Sequence, residues 1–130
     1  MKRLIIAFLL ILFSITTAFA ASNKERVVDS AALFTKVFDS DGQIRKGIAV
    51  DGGELFSAGY FLGMVSIGIE ILAGAAEYDL TFPAGETVGM IAYKAAVAVT
   101  TIKDRVKDDN TNESVIVLAA IMQACNAHPP

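Results

Sequence analysis

Residues 56–72, FSAGYFLGMVSIGIEIL, carry one charge (Glu70), three glycines and no proline. Such a run forms a membrane span, a buried core helix or a helix-pairing face, and the choice among them decides the fold. A glycine inside a helix costs roughly 1 kcal/mol against alanine, so Gly59, Gly63, Gly68 and Gly74 call for a packing reason. Gly59 and Gly63 make a small-xxx-small pair, and Gly63, Ile67 and Gly74 lie near one face along which another helix can approach closely. That neighbour belongs either to the same subunit or to a second copy. Leu55 to Ala76 is long enough to span a bilayer, yet Glu70 sits near its middle, Ser57 and Ser66 interrupt it, and no basic residue flanks it. A carboxylate in lipid is expensive. The expectation is a central core helix with three others laid around it.

Three further helices are predicted around this one. In the first, from about Lys24 to Phe38, Val27, Ala31, Phe34 and Phe38 line one face, with Asn23 expected as the N-cap. Asp39-Ser40-Asp41-Gly42 ends it with turn chemistry. The linker QIRKGIAVDGG carries no clear pattern. Asp51-Gly52-Gly53-Glu54 reads as a capping box that opens the long helix, Gly53 to Glu77. After a loop over 78–85, a Thr87 cap opens the third helix, expected to reach Lys107 with Val88, Ile91, Ala95, Val99, Ile102 and Val106 as its apolar stripe. The polar stretch 108–112 precedes a fourth helix from Glu113 to about Asn126, with Val115, Leu118, Met122 and Cys125 on its inner side; His128-Pro129-Pro130 stops it. No segment alternates with period two for long. The fold expected is all-α, a compact four-helix domain around a long, glycine-containing central helix.

The N-terminus reads as an export signal: Lys2-Arg3 as the basic region, Leu4 to about Phe13 as the apolar region, and Ala18-Phe19-Ala20 as the cleavage motif. Residues 1–20 are therefore expected to be removed after Ala20, leaving residues 21–130 as one domain in the periplasm. Loss of Lys2 and Arg3 reduces the 11 basic residues to 9 against 14 acidic ones, a net charge of −5. That balance disfavours nucleic acid and anionic lipid, so neither a nucleic-acid partner nor stable membrane insertion is expected. Cys125 is the single cysteine, and no intramolecular disulfide can form.

Enzymatic chemistry finds little footing. His128 is the only histidine and stands beside the terminal prolines, three residues after Cys125; a nucleophile needs a base held by a third ordered group. The acidic clusters do not fit a calcium loop. With Gly42 at its glycine position the first and last ligand places fall on Val37 and Ile48; a start at Asp108 puts Glu113 at the glycine and Ala119 at the end. The helical glycines are not in a strand-to-helix turn and so do not form a phosphate cradle. No catalytic residue, metal or cofactor is expected.

Phe56-Ser57-Ala58-Gly59-Tyr60-Phe61-Leu62-Gly63 resembles the F-C-x-G-Y-I-x-G signature of the Rap/Tai family of type VI secretion amidase-immunity proteins. Thr81-Phe82-Pro83-Ala84-Gly85-Glu86-Thr87-Val88-Gly89-Met90 resembles that family's C-x-P-x-G-x-T-x-G-Q stretch, and Ala127-His128-Pro129 its closing segment. The resemblance covers about residues 51–129. Ser57 and Thr81 stand where the family usually has cysteines, and if those bridge the central helix to the following loop, both partners are absent here together. Such a staple is typically worth ~2–4 kcal/mol.

The resemblance implies an exported helical protein, often a homodimer, that binds a papain-like peptidoglycan amidase effector and plugs its cleft. The alternative kept open is a periplasmic stress chaperone or general helical binding module. No family signature marks the contact residues. An inhibitor needs a rigid protrusion whose polar groups meet the cleft. The loop from Asp104 to Glu113 is the leading candidate, through Asp104, Lys107, Asp108, Asp109, Asn110, Asn112 and Glu113; the region of Tyr78, Asp79 and Glu86 is second. Gly59, Tyr60, Gly63 and Ile67 are assigned to a helix-packing or dimer face.

Overall fold

The computed structural model describes residues 21–75, 82 and 84–125. It is all-α: α1 (Asn23–Val37), α2 (Gly52–Gly74), α3 (Val88–Ile102) and α4 (Glu113–Ala124), each packed against the other three. The expected leader over 1–20, Glu77, Tyr78, Asp79, Thr81, Pro83 and the closing segment after Cys125 lie outside the described residues.

Side-chain chemistry sets where the helices start. Ser22, not Asn23, caps α1: its hydroxyl accepts from the Glu25 amide at 3.2 Å, while its own amide donates to the Glu25 carboxylate at 3.4 Å. Asn23 is thereby freed, and its side-chain amide reaches the Asn110 carbonyl at 3.1 Å. Asp51 caps α2, accepting from the Glu54 amide at 2.8 Å, but Glu54 does not reach back as the capping box anticipates. Its carboxylate bonds Lys36 of α1 at 2.6 Å, linking two helices in place of closing a local ring. Thr87 caps α3 as expected.

The helix ends and faces bring two corrections. α3 stops at Ile102, short of Lys107. Four consecutive β-branched residues, Val99-Thr100-Thr101-Ile102, close it, and such residues lose rotamer freedom in a helix. Thr100 also bonds back to the Val97 carbonyl at 2.6 Å, a contact that bends helices. On α4 the buried side is Ile116, Val117, Ala120 and Ile121, with Cys125 beyond; Val115 is exposed, and Leu118 and Met122 are only half-buried. Nearly every position of α4 is apolar, so its spacing cannot select a face, and the fit against α2 does. At Gly68 an added Cβ would lie 2.6 Å from Ile121 Cδ1, so the glycine admits α4 to α2 at close range.

Phe34 and Phe61 at the α1–α2 contact, 5.8 Å apart and tilted, anchor the core with the alanines of α3, Ala92, Ala95, Ala96 and Ala98. The predicted stripes of α1 and α3 hold, except that Phe38 and Val106 are half-buried and Val88 is exposed. α2 is the long central element, but its outer side stays open: Gly59, Gly63 and Gly74 meet nothing within 4 Å. Among the described residues, every buried side-chain nitrogen or oxygen has a hydrogen-bond partner.

The unpatterned linker is built around Asp39. One of its carboxylate oxygens accepts from the amides of Asp41 at 3.0 Å and Gln43 at 2.9 Å, and Phe38 and Ile44 form an isolated antiparallel bridge. Gly42, at φ +74°, then lies against Gly89 at the start of α3, where an added Cβ would sit 2.7 Å from the Gly89 backbone. Gly47 has a similar φ of +76° with nothing nearby. Gly42→Ala should therefore cost about 2–3 kcal/mol, combining backbone strain with a clash, and Gly47→Ala only about 1 kcal/mol from strain. Urea unfolding of the two variants distinguishes them; equal losses would contradict the close approach.

Candidate functional site: a clamped polar loop and an adjoining cleft

The connection from α3 to α4 packs back onto the first turn of α1. Lys24 holds it twice, its amide donating to the Asp109 carbonyl at 3.0 Å and its ammonium to the Val106 carbonyl at 3.0 Å. Asn23 adds the bond to Asn110. Within the loop, Asp108 accepts from the Asn110 amide through its carboxylate at 2.9 Å, and from the Thr111 amide and hydroxyl through its carbonyl at 3.0 and 2.7 Å. Asn112 caps α4 by accepting from Ser114 at 2.9 Å. A chain with this many fixed backbone groups loses little freedom on binding.

The expected contact residues divide on this frame. Asp104, Lys107, Asp108, Asp109, Asn110 and Asn112 are all exposed. Asp109 also lies 3.7 Å from the Lys24 ammonium. Glu113 is different. Its carboxylate is largely covered, with one oxygen accepting from Arg26 Nε of α1 at 2.6 Å and the other from the Tyr60 hydroxyl of α2 at 2.6 Å. It ties three helices together at one point. Glu86, from the second candidate region, is also occupied: its covered carboxylate pairs with Lys94 of α3. Gly59, Tyr60, Gly63 and Ile67 all lie on the exposed side of α2.

Beside the loop, Asn23, Arg26, Tyr60, Met64, Asn112, Glu113 and Ser114 line an open cleft of about 510 Å³. Arg26 and Tyr60 also wall a second hollow of about 360 Å³, which continues between α1 and α2 past Leu33, Phe56 and Ser57. The sequence reading missed Asn23, Lys24 and Arg26 as the groups that hold this surface. Their partners lie more than 80 positions away, and no local spacing reports such a pairing.

The hydrogen bond to Glu113 raises the Tyr60 pKa above its ordinary value, with burial and the carboxylate's charge adding and Arg26 opposing. Burial pushes the Cys125 thiol up as well, against a smaller lowering by Lys94. A buried, protonated thiol is a poor nucleophile. Among the described residues no three histidine, cysteine, aspartate or glutamate side chains come together to hold a metal ion. The exposed loop presents its polar groups on a backbone fixed by hydrogen bonds.

No protein-family model, curated protein or solved structure matches this chain. The resemblance to amidase-immunity proteins therefore rests on the sequence stretches 56–63, 81–90 and 127–129.

Two outcomes follow from the Glu113 tie. Glu113→Ala should lower stability by about 2 kcal/mol, the scale of hydrogen bonds to a charged group, while Asp104→Ala stays within about 0.5 kcal/mol; urea titration measures both. Tyr60 contributes in a defined pH window. Because its folded pKa lies above the unfolded one, its contribution is complete below about pH 10 and is lost as pH rises through the folded value. Tyr60→Phe should flatten the alkaline limb of stability measured from pH 9 to 11, and an unchanged limb would contradict the bond.

Proposed function

We propose that this chain is a periplasmic immunity protein, exported by residues 1–20, that binds a papain-like peptidoglycan amidase of a type VI secretion system and occludes its cleft. The observation that carries this reading is the loop between α3 and α4, polar, exposed and clamped to α1 by Lys24 and Asn23. The motif resemblance supplies the class of target. A cleft built around a cysteine–histidine pair presents hydrogen-bond donors to an entering carboxylate or amide, and the loop tip offers Asp108, Asp109, Asn110 and Asn112 in a fixed arrangement. Inhibition by occlusion asks nothing catalytic of the inhibitor.

Asp104 is an exposed acidic group of the loop whose side chain takes no part in the clamp, whereas Asp109 lies against Lys24, so Asp104 separates recognition from folding. In titration calorimetry with the amidase, followed in parallel by its activity, the exported protein should bind stoichiometrically and abolish turnover. The Asp104→Arg variant should weaken binding at least about tenfold, or ~1.4 kcal/mol, with unchanged helicity. Absence of heat and of inhibition with a folded sample rejects the amidase as partner and moves the reading to a general binding module or chaperone, which would take many unfolded clients.

A further inference from the structure

The hollow between α1 and α2 has a chemistry of its own. Arg26, Asp29, Ser30 and Leu33 of α1, with Phe56 and Tyr60 of α2, wall a space of about 360 Å³, within the size range of small-molecule sites. Leu33 and the two aromatic side chains supply apolar wall. Phe56 is 76% exposed, so its ring can lie over an entering chain without leaving a packed position. Ser30, at 5%, is the one buried polar residue among the described residues.

The polar groups still open in this hollow are mostly acceptors. The Ser30 hydroxyl donates to the Val27 carbonyl at 3.0 Å, and the Tyr60 hydroxyl donates to Glu113 at 2.6 Å. A hydroxyl whose hydrogen is committed offers only lone pairs, and a carboxylate such as Asp29 offers nothing else. Charge points the same way. Arg26 gives Nε to Glu113 and Nη2 to Asn23, both residues of the neighbouring cleft, and Lys36 of α1 pairs with Glu54 of α2. Asp29 is in no ion pair among the described residues, so it is the uncompensated charge of the hollow. An anion would have to take Arg26 from Glu113 and undo the tie of three helices.

We propose that this hollow binds a primary alkylammonium group. The ammonium brings three donors and no acceptor, and the Asp29 carboxylate and the Ser30 oxygen receive it. Its methylene stem lies against Leu33, beside the Phe56 and Tyr60 rings, whose faces attract a cation. A free amine and the side chain of a lysine share this form, an apolar stem behind a donor-only head. The chain's 14 acidic residues against 11 basic ones favour the approach of a cation to the whole surface as well.

Amide NMR of the exported protein, titrated with n-pentylammonium chloride, should show saturable shifts centred on Asp29, Ser30 and Phe56, with a dissociation constant on the order of 1 mM. Pentanoate and n-pentanol, the same chain with an anionic or a neutral head, should bind at least about tenfold more weakly. Ethylammonium, which lacks most of the stem, should also lose about tenfold. Asp29→Asn, at an exposed position, should weaken pentylammonium at least about tenfold with unchanged circular dichroism, and added salt should weaken it further in the wild type. Nα-acetyl-lysinamide separates the two sources of the group: binding tighter than pentylammonium assigns it to a lysine of another protein, weaker binding to a free amine. Pentanoate binding as tightly as pentylammonium, unchanged affinity in Asp29→Asn, or no saturable shift in the folded protein overturns the inference. The site stands apart from the loop between α3 and α4, so either proposal can fail alone.

Discussion

One carboxylate joins three of the four helices of this molecule at a single point. Glu113, the first residue of α4, receives Arg26 from α1 on one oxygen and Tyr60 from α2 on the other. Both bonds are short, and the carboxylate is largely covered, so losing either partner leaves charge with poor solvation. The start of α4 is thus fixed relative to α1 and α2 before its apolar side is considered. The loop that precedes it inherits that position, and Lys24 and Asn23 complete the hold from α1. Remove Glu113 and the Asn112 cap, the loop tip and the adjoining cleft all lose their reference.

Two surfaces with different physics follow. The loop surface is polar and pre-ordered, which suits recognition of a folded partner whose own polar groups are already in place. The outer side of α2 is apolar and flat at its glycines, which suits burial against another helix. The glycines of α2 beyond its first turn divide accordingly: Gly68 faces inward and admits Ile121, while Gly59, Gly63 and Gly74 face outward. A helix carrying both kinds is packed on one side by its own chain and leaves the other side available.

The helix count, the cap at Thr87, the inner sides of α1 and α3 and the turn at Asp39–Gly42 were all legible, because each rests on local spacing or on a residue acting on its own neighbours. The exposed loop residues were legible for the same reason: a polar run between two apolar helices faces water. What could not be read locally went elsewhere. The face of α4 is chosen by Gly68, since a helix apolar almost all round has no periodicity to follow. Ser22 outcompeted Asn23 as a cap because Glu25 reciprocates, and Asn23 had a distant use. Glu54 and Glu113 were assigned by position to a capping box and a contact surface; each instead joins separate helices, Glu54 to Lys36 and Glu113 to Arg26 and Tyr60.

The central claim is that the loop between α3 and α4 is a rigid surface clamped to α1. Residue-resolved amide hydrogen exchange tests it most directly, at Lys24 and Thr111, whose amides donate to the Asp109 and Asp108 carbonyls. If the clamp is real, both exchange orders of magnitude more slowly than unstructured amides, and Glu113→Ala accelerates them together. Exchange at the unstructured rate in the wild-type protein would mean that the loop is not held, and the account of recognition built on it would fall.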